Sequence, residues 1–453
     1  MMIDFNKFVK FSKPGPRYTS YPTALEFSDT FSYDEYTSRL KNGTKPLSLY
    51  FHLPFCRSAC YFCGCNVTYT TNEQKMARYL DYLERELDLL SQILNTKREV
   101  VQMHFGGGTP TYYNAKSLER VFKAIRARFS NFAKDAEISC EIDPRFFNKE
   151  QMSVFRANGL NRISFGVQDF DEKVQREIHR IQPFEITQNA VQIARDGGIK
   201  SINTDLIYGL PYQSPKSFAN TLKTALSLSP DRFAIFNYAH VPWLKKSMRK
   251  FDESTLPNPA SKLEILKYTM EFLPNNGYKM IGMDHYARPD DELFGALKNG
   301  TLHRNFQGYT TKGGADLIGI GLTSIGEGDD YYAQNFKDLP SYENAIDSGR
   351  LPNAKGVFLS AEDRLRKAVI MSLMANFNLD INAIENAFNV DFFKHFSAEL
   401  ELLKINFGEF VELSGDKISV NETGILLIRN IAMCFDEYMV RHSNNAQSFS
   451  KTL

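Results

Sequence analysis

At 453 residues with a net charge of +1, the chain is long enough for two or three domains and has no global basic field to attract nucleic acid. Hydrophobic residues make up 43% and charged residues 24%, the balance of an ordinary globular protein. No apolar run approaches the roughly 18 residues of a membrane-spanning helix, and the first residues lack the basic-then-apolar pattern of a secretory signal. A cytoplasmic chain with no membrane span and no nucleic-acid partner is expected.

The first 45 residues are polar, and three prolines and a glycine between Pro14 and Pro22 rule out a helix there. The segment is expected to be extended, to lie over the active site and to serve the substrate rather than the fold. From Leu47 a strand–helix alternation begins, with β-rich apolar runs at 47–52, 100–105, 137–142, 162–167, 202–208 and 232–238. Helical spacing follows: Leu80, Leu83, Leu87 and Leu90; Ile186, Ala190, Ile193 and Ala194, stopped by Gly197-Gly198; and Phe218, Leu222 and Leu226 behind an N-cap Ser214 and Pro215. Another helix starts near Pro259. Six consecutive βα units predict an α/β protein with a parallel sheet, open or curled as a partial barrel.

Residues 282–338, rich in Gly and Asp, read as loops and short elements. Beyond about Gly356 helices are predicted at 361–376, 381–388 and 391–403, then a hairpin at Ser414-Gly415-Asp416 and a helix over 423–439. This mainly helical, winged-helix-like pattern sets the expected division: 1–45, 46–355 and 356–453.

Four of the six cysteines fall between Cys56 and Cys65, which indicates metal rather than disulfides. Cys56, Cys60 and Cys63 form C-x3-C-x2-C. A 4Fe-4S cluster held by three thiolates keeps one iron open for chemistry. Structural zinc prefers two C-x2–4-C pairs, and Cys63-Gly64-Cys65 is too tight for the second. Cys140 and Cys434 read as inert buried thiols.

The remaining unusual residues all fall at strand C-terminal ends, the face on which βα folds place ligands. Gly106-Gly107-Gly108-Thr109-Pro110 allows close backbone approach to a ligand or is a plain tight turn. Glu141, Asp205 and Arg180 could bind ribose hydroxyls or form an ordinary ion-pair network. His303-Arg304-Asn305-Phe306-Gln307 is a charged and aromatic loop, or solvated surface.

With these motifs the chain resembles the radical SAM superfamily, and within it the oxygen-independent coproporphyrinogen III dehydrogenases of haem biosynthesis. The resemblance rests on residues 14–23, 50–56, 63–66, 106–110, 141–145, 166–170, 205–211, 236–240, 282–285 and 303–310. It implies a partial (β/α)6 radical SAM barrel with a C-terminal helical domain, one 4Fe-4S cluster and two molecules of S-adenosyl-L-methionine (SAM). It also implies coproporphyrinogen III as substrate, a one-electron donor such as flavodoxin or ferredoxin, and a monomer.

By the same resemblance Cys56, Cys60 and Cys63 hold the cluster. Tyr50, Gly107, Glu141 and Ile325 match positions around the first SAM. Phe62, Gly108, Thr109, Gln168, Arg180, Asp205 and Ala239 match positions around the second. Cys65 matches a family cysteine that is not a ligand and, with His52, is a catalytic candidate; Phe306 and Gln307 also match positions important for activity. Arg17 and Arg304 are candidate partners for substrate propionates. Glu327, within Gly326-Glu327-Gly328, and Lys367, after Arg366, depart from the family pattern. Two other radical SAM classes share the triad: a haem-carrier chaperone, which lacks Cys65 and the 303–310 segment, and a haem-degrading methyltransferase.

Overall fold

Branched and aromatic residues alternate with helix-period segments, so helices cover one face of the parallel strands, while the other face is only partly buried in places, as in the alternating pattern of Ser201–Tyr208. The computed structural model describes residues 10–442 together with Phe449 and Thr452. Strand β1 (Leu47–Leu53) runs into a short parallel pair, β2 (Phe55–Cys56) and β3 (Thr68–Tyr69). Then come β4 (Val100–Gly107), β5 (Phe132–Ile142), β6 (Arg162–Gln168), β7 (Ser201–Tyr208) and β8 (Arg232–Asn237). The six long strands are parallel and adjacent in chain order, β1-β4-β5-β6-β7-β8. This is the expected βα series.

The helices between them follow local chemistry. Asn72 caps the helix Glu73–Ile93, whose Leu80, Leu83, Leu87 and Leu90 are all buried. Ser214 and Ser217 close a capping box on Pro215–Ser227. The helix Phe184–Asp196 ends at Gly197-Gly198, with Gly198 at φ 88°. On that helix Ile186 faces solvent, 38% exposed, while Thr187 is buried and accepts from Gln182 Nε2 at 2.9 Å, so the expected apolar stripe is wrong by one position.

Three further readings are corrected. Residues 282–338 hold short elements and loops as read, but four of the short elements are strands of the main sheet, which the six-strand reading lacked. After β9 (Lys279–Met280) come β10 (His285–Ala287), the hairpin β11 (His303–Asn305) and β12 (Gly308–Thr310), then β13 (Asp316–Ile320), β14 (Ile325–Glu327) and β15 (Tyr331–Asn335), followed by β16 (Asn353–Phe358). Strand β13 pairs in parallel with β1, and β14 to β16 extend the sheet antiparallel. The order is β16-β15-β14-β13-β1-β4-β5-β6-β7-β8-β10-β9. Runs of three to five residues leave no readable alternation; the edge of β1 supplies the ladder that makes them strands.

Second, the N-terminal segment is extended only in part. Ser32 caps a helix at Tyr33–Asn42, whose Tyr36 and Leu40 join the barrel core. Phe11, Tyr18 and Tyr21 belong to the core of the C-terminal region, so the segment serves the fold as well.

Third, two C-terminal helices are broken. The expected 391–403 helix divides into Phe392–His395 and Ser397–Phe407, and 423–439 into a 3-10 turn (Gly424–Leu427), Ile428–Ala432, a second 3-10 turn (Met433–Phe435) and, beyond it, Met439–His442. Helices Ala361–Asn376 and Ile381–Phe388 are as expected. Strands β17 (Asn378–Asp380), β18 (Val411–Ser414) and β19 (Lys417–Val420) form a three-stranded sheet, with β18–β19 as the predicted hairpin. The two unusual residues meet here: Lys367 Nζ lies 2.6 Å from Glu327 Oε1 and 4.7 Å from the centre of the Tyr332 ring, joining this region to β14 and β15.

Candidate cofactor and active site

The C-terminal ends of the parallel strands surround a cavity of about 440 Å³. Cys56, Cys60, Cys63 and Cys65 line it from the loop after β1. Gly107, Gly108 and Thr109 reach it from β4, Glu141 from β5, Gln168 from β6, Asp205 from β7 and Ala239 from the end of β8; Phe62 and Arg180 complete it. Among the described residues no three His, Cys, Asp or Glu side chains come close enough to share one metal ion.

The cysteine loop is pinned by the glycine run. Gly108 N donates to Leu53 O at 2.8 Å and Thr109 N to Phe55 O at 3.0 Å. A Cβ on Gly108 would sit 2.6 Å from the Pro54 carbonyl carbon, and one on Gly107 would sit 2.7 Å from the His52 ring. The close approach that demands glycine is therefore to the chain itself. The amides of Gly108 and Thr109 are already bonded and leave no donor for a ligand carboxylate.

The thiols face polar hydrogens. Arg180 Nη1 and Arg145 Nη2 lie 3.8 and 3.9 Å from Cys60 Sγ, and Thr109 Oγ1 lies 3.3 Å from Cys56 Sγ. Asp143 orients both guanidiniums, at 2.7 Å to Arg145 and 3.0 Å to Arg180. Burial alone would raise the Asp143 carboxyl, but these two arginines hold it below its ordinary value. N–H donors to cluster sulfurs are a lever on reduction potential. Arg145 was not assigned a role from sequence; its place two residues after Asp143, just past a strand end, was the available signal.

Cys65 opens to the cavity, and its carbonyl accepts from Lys245 Nζ at 2.8 Å. A hydrogen bond with Cys65 favours the thiolate at Cys63 and disfavours it at Cys65.

Glu141 lies 3.6 Å from His104 Nε2; burial pushes its carboxyl up, but His104, His52 and the Gly107 amide outweigh this and hold it low. Burial pushes Asp205 up to about 7 despite hydrogen bonds from Ser164 (2.8 Å) and Asn203 (2.6 Å).

Three expected residues do not line the cavity. Tyr50 stacks on His104 at 5.9 Å, and its hydroxyl donates to His52 Nδ1 at 3.1 Å. His52, 4% exposed, donates from Nε2 to Asn66 O at 3.0 Å, and burial lowers its pKa to about 4. It is a neutral bridge from β1 to the residue after Cys65. Ile325 sits on β14, two strands from β1, packed near Phe306 and Tyr332. Phe306 itself contacts the Tyr332 ring edge-on at 5.9 Å. Cys140 is fully buried and Cys434 largely so, and burial raises both thiols, as expected of inert groups.

Comparison with known proteins converges on one family. The radical SAM superfamily model matches residues 50–225 and the HemN C-terminal domain model residues 359–427. An oxygen-independent coproporphyrinogen III oxidase of Helicobacter pylori (strain J99) is 55% identical over 100% of this chain and 99% of its own. The protein of the same name from Escherichia coli K12 is 46% identical over 98% of this chain and 97% of its own. The solved structure of coproporphyrinogen III oxidase (HemN) from Escherichia coli, a radical SAM enzyme, superposes with a TM-score of 0.91 at 45% identity, covering 96% of this chain and 98% of that one.

Proposed function

The chain belongs to the oxygen-independent coproporphyrinogen III oxidase family, and on that premise we propose how its residues divide the work. The reaction is the oxidative decarboxylation of coproporphyrinogen III without oxygen, in haem biosynthesis. Two propionates become vinyl groups, giving protoporphyrinogen IX. Each loses a β-hydrogen atom, its carboxyl group as carbon dioxide, and one further electron. The β C–H is unactivated, so no side-chain base removes that proton at neutral pH, and a cofactor has to do the chemistry.

The observation that carries the assignment is that Cys56, Cys60 and Cys63 face one cavity together with the glycine run and the strand-end carboxylates. The donor set fits: three thiols with N–H and O–H groups aimed at two of the sulfurs. Bound there by Cys56, Cys60 and Cys63, a 4Fe-4S cluster together with SAM would supply the one-electron reduction and the hydrogen-atom abstraction that no side chain provides.

The chain's own residues position and exclude. Gly107 and Glu141 are assigned to the SAM nearer the cluster. Phe62, Gly108, Thr109, Gln168, Arg180, Asp205 and Ala239 are assigned to a second SAM. Tyr50, His52 and Asn66 form a relay of hydrogen bonds that orients the Cys65 loop, which makes Tyr50 and His52 positioning residues. Cys65, open to the cavity, is assigned as a hydrogen or proton donor. Ile325 supports the β14 wall. The same reading carries a one-electron donor such as flavodoxin or ferredoxin, a monomer and a cytoplasmic setting. Among the described residues no helix is long and apolar enough to cross a membrane.

The test is anaerobic turnover of coproporphyrinogen III with mass analysis. Loss of two carbon dioxide molecules and four hydrogen atoms per macrocycle supports the assignment. Unchanged substrate beside normal SAM cleavage counts against it.

A further inference from the structure

Cationic side chains gather beside the catalytic cavity, and among the described residues Lys337, Lys355 and Arg304 have no ion-pair partner, whereas Arg17 is paired with Asp284. A second cavity, of about 310 Å³, lies beneath the N-terminal segment and is lined by Arg17, Thr23, Gln334, Lys337 and Lys355 among others. Among the described residues Lys355 Nζ hydrogen-bonds only to the Ala24 carbonyl, at 3.3 Å, and stands over the Phe27 ring at 5.6 Å. Neither Lys337 nor Lys355 forms an ion pair with any described residue. In the same walls Thr23 Oγ1 and Gln334 Oε1 are buried with no hydrogen-bond partner among the described residues. Five residues from three separate segments therefore present charge and polar atoms to one space.

Arg17 joins this cavity to the catalytic one. Its guanidinium lies 5.6 Å from the centre of the Phe236 ring, and Phe236 lines the cavity of the thiols. On its other side Arg17 pairs with Asp284, whose second oxygen lies 2.6 Å from His285 Nδ1. Near this pair is Arg304, only 9% exposed and stacked on Tyr309 at 5.0 Å, with Nε and Nη1 lacking a hydrogen-bond partner among the described residues. The carbonyl of Lys337 accepts from Asn66, next to Cys65, at 2.9 Å. The second cavity thus borders the cysteine loop at one end and the barrel mouth at the other.

A buried guanidinium with two unmade hydrogen bonds is costly, and a pair of unpartnered lysines repel each other. The groups that relieve both are carboxylates. We infer that this second cavity, with Arg17, Lys337 and Lys355 in its walls and Arg304 near Arg17, is the subsite that anchors the two propionates the enzyme leaves intact. The inference rests on the substrate reading above. It selects the retained propionates because decarboxylation removes negative charge from the reacting group. Cations that hold that carboxylate in the ground state would oppose loss of carbon dioxide, whereas they hold a spectator carboxylate without penalty.

The probe is coproporphyrin III, the stable oxidised macrocycle with four carboxylates, titrated by fluorescence into the reconstituted full-length enzyme. Its tetramethyl ester is the control. Lys355→Met and Arg304→Gln should each weaken binding of the free acid by about tenfold or more, the range of a lost charge-assisted hydrogen bond. Binding of the ester should not differ between wild type and variants, and Lys355→Arg and Arg304→Lys should recover part of the loss. Iron content and the SAM-dependent change in the EPR spectrum should stay at wild-type values. Free-acid binding within twofold of wild type in both variants overturns the subsite, as does an equal loss for acid and ester. If Arg304→Gln fails to fold, the half-buried Lys355 carries the same test. Wild-type turnover run alongside separates the failures. Divinyl product with unaffected variants removes the subsite alone, and no divinyl product removes the functional premise and the subsite together.

Discussion

Gly108→Ala should damage the cluster site while sparing the barrel. The added Cβ would lie 2.6 Å from the Pro54 carbonyl carbon, 2.7 Å from its oxygen and 2.8 Å from Phe55 O, and all three contacts are backbone atoms that no rotamer change can move. Relieving them means separating the end of β4 from the start of the cysteine loop, an overpacking cost of about 1–3 kcal/mol. That separation stretches the bonds Gly108 N–Leu53 O and Thr109 N–Phe55 O, at about 1 kcal/mol each. The total, roughly 3–5 kcal/mol, is at or below the stability of most folded domains, about 5–15 kcal/mol. The variant should fold, with a lowered urea midpoint, but Cys56 and its neighbour Thr109 lose their register. Iron and sulfide bound after anaerobic reconstitution should drop to under about half of wild type on this reasoning. Gly64→Ala is the control. It lies between Cys63 and Cys65, yet a Cβ there meets nothing within 4 Å, so iron content should be normal. Full iron in Gly108→Ala, or equal loss in both variants, refutes the argument.

Serine at Cys56, Cys60 or Cys63 should abolish the cluster, whereas Cys65→Ser should keep its iron and lose vinyl formation, as read by iron analysis beside product masses; cluster loss in Cys65→Ser would make that residue a ligand. Glu86 is buried, accepts from Tyr342, the Gly321 amide and Asn335, and burial lifts its pKa from 4.5 to about 7. Because the folded state holds the proton more tightly, stability is greatest below pH 4.5 from this group and falls as pH rises to 7, by up to about 3 kcal/mol. Glu86→Gln should flatten the slope of the unfolding midpoint between pH 5 and 7, and an unchanged slope counts against the assignment. Removing residues 1–25 should unfold the C-terminal region, since Phe11, Tyr18 and Tyr21 leave its core at about 3–5 kcal/mol per buried aromatic. Retained protease resistance there would show that the segment only covers the site.

What could be read in the sequence was what depends on neighbours along the chain. The βα alternation, the cap at Ser214, the stop at Gly197-Gly198 and the C-x3-C-x2-C spacing are set by bonds and periodicities spanning a few residues. The cysteine triad and most of the cavity wall were legible for the same reason, because they sit just after strands that the pattern locates.

Other features depend on what folding brings beside a residue. Strands β13 to β16 are too short to signal themselves and exist because β1 offers an edge. Gly107 and Gly108 looked like ligand contacts, and only the packed loop shows that His52 and Pro54 require them. Tyr50 and His52 alternate on β1 and read as site residues, but the register against His104 and Gly106 places them behind the wall. Glu327 and Lys367 looked like unrelated departures and prove to be partners across 40 positions of sequence. The cationic cavity draws Arg17, Lys337 and Lys355 from three separate segments. No local pattern encodes such a gathering, because unpaired charge becomes a property of the molecule only when burial removes the water that would otherwise have solvated each group.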